Sequence, residues 1–130
     1  MKILAADTAE KSCSVAVMNG RNLLAEITIV NQETHSRHLM SMMDACLKMS
    51  RLDISDMDAF AVAKGPGSFT GLRIGISIVK GLAAASGKPV VTVSNLDALA
   101  QQAVLSDLPI CVMTDARKSE VYVCRYRLSD

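Results

Sequence analysis

A glycine-rich segment between two short apolar runs constrains the fold of this chain more than any other feature. Residues 58–63 are predicted to form a buried strand, and PVVTV at 89–93 another. Between them, KGPGSFTGLRIG at 64–75 begins as a Gly-Pro-Gly turn and continues into a helix predicted over 70–86, which Gly87 ends. The turn is typical of a loop that holds phosphate on backbone N–H groups.

The segments on either side extend this alternation of strands and helices. KILAA ends at Asp7 and reads as a buried strand, and Asn19-Gly20 marks a hairpin because both residues accept positive φ. The other predicted elements are a helix over 34–50 that Thr34 or Ser36 can cap, a helix over 95–104 and a strand over 109–114. The order βββαβαβαβ predicts an α/β fold with a mixed sheet and helices on both faces.

The composition excludes several classes of protein. Half of the 130 residues are apolar, so we expect a folded core, and a net charge of +1 argues against broad nucleic-acid binding. The cysteines form no Cys-x-x-Cys pair, which favours four reduced thiols over a metal site or a disulfide. With neither a signal-peptide pattern nor an apolar run long enough to span a membrane, we expect a cytoplasmic protein.

The start and the end of the chain resemble each other. ILAADTAEKSCSVAV, from Ile3, and ICVMTDARKSEVYVC, from Ile110, are each an apolar strand, an acid, a serine and a second strand. Asp7 and Asp115 occupy similar places. Either two hairpins look alike by chance, or a duplicated domain has just begun its second copy. The second interpretation predicts one domain over 1–106 and the first hairpin of another over 107–130.

Three glycines inside the helix over 70–86 need a reason, since each costs roughly 0.5–1 kcal/mol relative to alanine. Gly71 and Gly75 are four residues apart and lie on one face, where they permit close approach of another backbone. This helix and the methionine-rich helix over 34–50 each carry more apolar surface than one contact with a sheet requires. They form either an ordinary core or a docking face for a partner. The predicted interface residues are Leu39, Met42, Met43, Cys46, Gly71, Ile74, Gly75, Ile78 and Leu82.

These motifs together resemble the TsaB (YeaZ) family over nearly the whole chain. The resemblance rests on ILAADTAEKSCSVAV, the Asn-Gly hairpin, HSRHLM, DAFAVAKGPGSFTGLRIGISIVKGLA and PVVTVSNLDALA, of which GPGSFTGLRIG is the most specific. It implies a ribonuclease-H-like domain of the actin-like ATPase superfamily. Members of the family are longer than this chain, so most of a second domain is expected to be absent.

The resemblance also implies a function in making N6-threonylcarbamoyladenosine in tRNAs that read ANN codons. It implies a non-catalytic partner of the paralogue TsaD, working with the ATPase TsaE and with TsaC, and reaching tRNA only through the complex. No cofactor is then required by this chain, and ATP is expected only with partner proteins. Alone, the chain is expected to form a homodimer through the two helices, which Gly75→Leu would disrupt at little cost to the fold.

Two catalytic sites are predicted to be lost. The sister family carries His-x-x-x-His after the strand equivalent to PVVTV, whereas here Asn95 and Leu99 occupy those slots and neither suits a transition metal. The second phosphate loop of actin-like ATPases is glycine-rich, whereas the residues after Asp115 include no glycine until the chain ends. We therefore expect no metal and no independent ATP hydrolysis.

Weaker sites remain as alternatives. Arg73 follows Gly-Leu where a Walker motif needs Gly-Lys, but a vestigial nucleotide or anion site is still predicted. Its residues are Asp7, Thr8, Gly67, Ser68 and Arg73. His35 and His38 could share a metal, although no third ligand is suitably spaced. A stand-alone ATPase or kinase, and a peptidase using Ser68, His35 and Asp7, are the rival functions.

Overall fold

The fold is a five-stranded mixed sheet followed by a separate two-stranded hairpin. The computed structural model describes residues 1–30, 35–103 and 108–127, and residues 35–37 by their backbone alone. The elements are β1 (Lys2–Asp7), β2 (Ser12–Asn19), β3 (Asn22–Val30), α1 (His35–Met49), β4 (Ala59–Ala63), α2 (Phe69–Ser86), β5 (Val90–Val93), α3 (Asn95–Gln101), β6 (Ile110–Arg117) and β7 (Glu120–Tyr126). The predicted order βββαβαβαβ is confirmed, and β7 is the second strand of the predicted terminal hairpin.

The strand order β3-β2-β1-β4-β5 decides which loops meet. β2 is antiparallel to both β1 and β3, whereas β4 is parallel to both β1 and β5. The carboxyl ends of β1, β4 and β5 therefore lie at one edge of the sheet, where α/β proteins usually place their sites. Asp7, the loop over 64–68 and Asn95 are brought together at this edge.

The core lies between one face of the sheet and the pair of helices α1 and α2. Strand alternation sends Leu4 and Ala6 of β1 into this layer, and Val15 and Val17 of β2 join them. On the opposite face Ala5, Ala16 and Ala61 line a shallow groove of about 200 Å³, which Ala98 of α3 borders.

Helix α2 begins and ends with conventional caps. Ser68 accepts a hydrogen bond from the Gly71 N–H through its Oγ, and Gly87 takes the left-handed conformation with φ of 67°. The predicted caps of α1, Thr34 and Ser36, lie outside the described residues and side chains. By length and composition α2 is apolar enough to cross a membrane, yet it packs on β1, β4 and β5 like a core helix.

The hairpin of β6 and β7 packs against α3. Its two-residue turn, Lys118-Ser119, has positive φ at both positions, which is the geometry of a type I′ turn. The Tyr126 hydroxyl donates to Asp97 Oδ1 of α3 at 2.6 Å. Residues 104–107, where the domain boundary was predicted, lie outside the described part of the chain.

Candidate functional site: a loop clasp and a helix groove

Asp7 links two loops at the carboxyl edge of the sheet. Its Oδ1 accepts a hydrogen bond from the Ala9 N–H at 2.8 Å, and its Oδ2 accepts one from the side-chain amide of Asn95 at 2.9 Å. Both carboxylate oxygens are therefore engaged within the protein. The arrangement fixes the β1–β2 loop against the start of α3.

Asn95 extends this connection to the glycine-rich loop. Its Oδ1 accepts from the Gly65 N–H at 3.0 Å, and its own backbone N–H donates to the Gly65 carbonyl at the same distance. The slot that the resemblance marks as a lost histidine thus holds a structural amide. An amide suits this position because it can donate to Asp7 and accept from Gly65 at once. The sequence identified Asn95 as a missing ligand and gave no signal of this second role.

Thr8 explains the glycines at the start of α2. Its buried hydroxyl donates to the Gly71 carbonyl at 2.7 Å. A Cβ built on Gly75 would collide with this same Thr8 hydroxyl oxygen. The close approach that the sequence predicted is real, but its partner is the β1–β2 loop of the same chain. The expectation that Gly75→Leu would leave the fold nearly unaffected is therefore wrong.

The backbone next to Gly67 makes a third contact with the same loop. The Ser68 N–H donates to the Ala9 carbonyl at 2.6 Å, and a Cβ on Gly67 would collide with that carbonyl. We call the residues that join these loops the loop clasp. Its members are Asp7, Thr8, Ala9, Gly65, Gly67, Ser68, Gly71, Gly75 and Asn95.

The clasp uses the groups that were predicted to hold an anion. The Asp7 carboxylate, the Thr8 hydroxyl and the Ser68 N–H all bond within the protein, and Gly67 is pressed against Ala9. The fifth predicted residue, Arg73, lies on the exposed side of α2 with its guanidinium 5.3 Å from the centre of the Phe69 ring. The geometry therefore favours a packing role for these residues over an anion site.

The predicted partner interface divides into two groups. Leu39, Met42, Met43 and Cys46 are all buried in the core between α1 and the sheet, so the prediction that they face a partner is wrong for these four. They point inward because β2 and β3 need a cover on this face, and α1 supplies it. Gly71 and Gly75 are buried too, under the β1–β2 loop.

The remaining predicted residues line a surface that can reach a partner. Ile74, Ile78 and Leu82 are half-buried along the side of α2 that faces α1. Two adjoining depressions follow this side, which we call the helix groove. It is lined by Thr70, Arg73, Ile74, Ser77 and Ile78 in one depression, and by residues that include Met40, Asp44, Lys48, Ile54 and Leu82 in the other. Met40, Asp44, Thr70 and Ser77 were missed, because exposure on a helix follows from packing that the sequence does not show.

The alternative sites find little support in the geometry. Ser68 Oγ caps α2 and Asp7 is engaged in the clasp, while the side chain of His35 lies outside those described. Among the described residues, no three histidine, cysteine or acidic side chains are grouped as metal ligands would be. The expectations of no metal and no protease activity remain predictions.

Comparison with known proteins assigns the chain to a family. A family model described as "TsaD: tRNA N6-adenosine threonylcarbamoyltransferase" matches residues 22–130. Proteins named "tRNA threonylcarbamoyladenosine biosynthesis protein TsaB" from Haemophilus influenzae and Escherichia coli are each 40% identical, over 94% and 98% of this chain. The chain belongs to this family, among its TsaB (YeaZ) members. It covers 52% and 55% of those two relatives, so it spans about half of their length.

Solved structures support the same assignment. YeaZ from Pseudomonas aeruginosa superposes with a TM-score of 0.88 at 38% identity, covering 98% of this chain and 61% of that one. A ROK hexokinase and RuvC, both from Thermus thermophilus, superpose with TM-scores of 0.60 and 0.51 at 17% and 16% identity, which indicates the fold alone. The predicted ribonuclease-H-like, actin-like fold class is confirmed.

Proposed function

We propose that this chain acts in the biosynthesis of N6-threonylcarbamoyladenosine in ANN-decoding tRNAs, as a non-catalytic partner of TsaD. The observation that carries the proposal is its 40% identity, over nearly its whole length, with two proteins named for that pathway. Because the chain spans about half of those relatives, their complete activity is not assumed for it. TsaE and TsaC are the further partners, tRNA is reached through the complex, and the cytoplasm is the proposed compartment.

The clasp supports the non-catalytic part of this proposal. Asn95 has both side-chain functions bonded, to Asp7 and to Gly65, so it holds a loop rather than presenting a ligand. The second slot is Leu99, whose side chain has no ligand atom and is 40% exposed. No cofactor is proposed for the chain itself.

The helix groove is the proposed docking surface for TsaD. It combines half-buried Ile74 and Ile78 with the exposed polar side chains of Thr70, Arg73 and Ser77. An apolar floor with a polar rim is the usual composition of a non-obligate interface. TsaD is proposed to lay an apolar helix face into this groove.

Affinity capture of TsaD by wild type, Ser77→Arg and Gln101→Arg tests the docking surface. Ser77 is exposed at the groove, so arginine there blocks a partner without entering the core, and Gln101→Arg adds the same charge on exposed α3. We expect Ser77→Arg to weaken TsaD binding by at least about tenfold and Gln101→Arg to bind like wild type.

Two results would count against the proposal. Undiminished capture by Ser77→Arg would remove the groove as the docking surface. A wild-type chain that captures no TsaD would overturn the partnership itself. Circular dichroism of the three proteins controls for folding.

A further inference from the structure

The hairpin of β6 and β7 presents a second surface, on the side away from α3. Cross-strand partners in an antiparallel pair point to the same side, so alternate residues of the two strands share one face. We call this the hairpin face, and its cross-strand pairs are Cys111 with Arg125, Met113 with Val123, and Asp115 with Val121.

The centre of the hairpin face is apolar and open. Met113, Val121 and Val123 are 65%, 59% and 55% exposed, whereas Val112 on the other face is buried at 8%. A two-stranded sheet with one uncovered apolar face is marginally stable in water, so a second layer on that face would stabilise it. The helix groove offers less, because its isoleucines are already half-buried against the core.

The charges at the two ends of the hairpin face indicate what can cover it. Asp115 lies at one end of the apolar centre and Arg125 at the other, and both side chains are exposed. Asp115 accepts the Arg117 N–H through Oδ1, and a carboxylate has capacity for further hydrogen bonds through its second oxygen. A surface with opposite charges at opposite ends is complementary to itself once it is reversed end to end.

We propose that the hairpin face binds a second copy of this chain. The two-fold axis lies between the stacked faces and runs across the strands, so that it exchanges their ends. Met113 then meets Met113 of the other copy, and Asp115 lies at the same end as Arg125 of the other copy, twice by symmetry. Stacking in the other direction places like charges together, so the charges select the reversed arrangement.

Charge exchange tests this arrangement. Sedimentation velocity over a concentration series should show the wild type in a monomer–dimer equilibrium. Arg125→Asp and Asp115→Arg should each weaken self-association by at least about tenfold, because each replaces two attractive pairs by two repulsive ones. The double variant Asp115→Arg/Arg125→Asp should recover wild-type affinity to within about threefold.

A mixture and two controls make the test specific. Equimolar Asp115→Arg and Arg125→Asp should associate with each other more strongly than either does with itself, since every end-to-end pair is then opposite in sign. Arg21→Asp makes the same charge change at an exposed turn far along the chain and should behave like wild type. Ser77→Arg in the helix groove should also self-associate normally, which separates this inference from the proposed docking of TsaD.

Labelling of Cys111 provides a second readout. Its thiol is exposed on the hairpin face, so its reaction with a bulky maleimide should slow as the wild-type concentration rises, and should not do so in Arg125→Asp. A wild type that stays monomeric at all concentrations would overturn the proposal. So would single variants that dimerise like wild type, or a double variant that fails to recover while remaining folded by circular dichroism.

Discussion

Single glycines of α2 differ in what surrounds them. A Cβ on Gly75 would meet the buried Thr8 hydroxyl, whereas a Cβ on Gly81 would meet nothing within 4 Å. Gly81 is exposed inside the helix, so it has only the conformational cost of glycine and no packing role. The two positions form a matched pair within one helix.

Alanine substitution should therefore have opposite effects at these positions. Gly81→Ala should raise the free energy of unfolding by about 0.5–1 kcal/mol through helix propensity. Gly75→Ala should lower it by about 1–3 kcal/mol, because it displaces Thr8 and breaks the bond to the Gly71 carbonyl. Urea denaturation measures both. Combining Gly75→Ala with Thr8→Ala should cost less than the sum of the single changes, and additivity would contradict the contact.

Asn95 makes a further residue-scale prediction. Asn95→Ala should lower the free energy of unfolding by about 1–3 kcal/mol, because Asp7 and Gly65 each lose a partner. Asn95→Asp should place a second carboxylate against Asp7, which raises the pKa of one of the pair in the folded state. That variant should therefore lose stability relative to wild type as pH rises from about 4 to 7. Parallel denaturation curves across this range would show the arrangement to be wrong.

At the scale of elements, the cysteines divide between the sheet layer and the hairpin. Cys13 of β2 and Cys46 of α1 are buried in the core, and burial raises the pKa of both thiols. Cys111 of β6 is exposed and Cys124 of β7 is half-buried. Reactivity should follow this division, because the thiolate is the reactive form.

Thiol labelling at pH 8 checks the division. Cys111 should react first and Cys124 next, whereas Cys13 and Cys46 should react only in denaturant, giving four thiols in total. Since their folded pKa values are raised, Cys13 and Cys46 contribute stability that is complete below about pH 9 and is lost as pH rises further. Rapid labelling of all four thiols in the native chain, or fewer than four in denaturant, would contradict this.

At the scale of the whole molecule, we expect no catalysis by the chain alone. The edge of the sheet where a nucleotide site would lie is occupied by the loop clasp, with Asp7 bonded on both carboxylate oxygens. ATP turnover by the highly purified chain, measured as phosphate release, should stay at background. Turnover that Asp7→Ala abolishes would refute the prediction, provided that this variant is folded.

The sequence by itself determined the order of the elements and the family. Strand and helix periodicities are local, and GPGSFTGLRIG combines a turn, a cap and a helix start in neighbouring residues, so both could be recognised without tertiary contacts. The glycines of α2 were likewise recognised as packing residues, because their cost within a helix is local too.

Only the tertiary structure decided what those residues contact. Leu39, Met42, Met43 and Cys46 share an apolar face whether it meets a sheet or a partner, and only the position of β2 and β3 shows that it is the core. Asn95 and Asp7 are 88 residues apart, and they meet because parallel pairing brings the ends of β1, β4 and β5 to one edge. Contacts of this kind depend on strand order and register, which a local pattern does not encode.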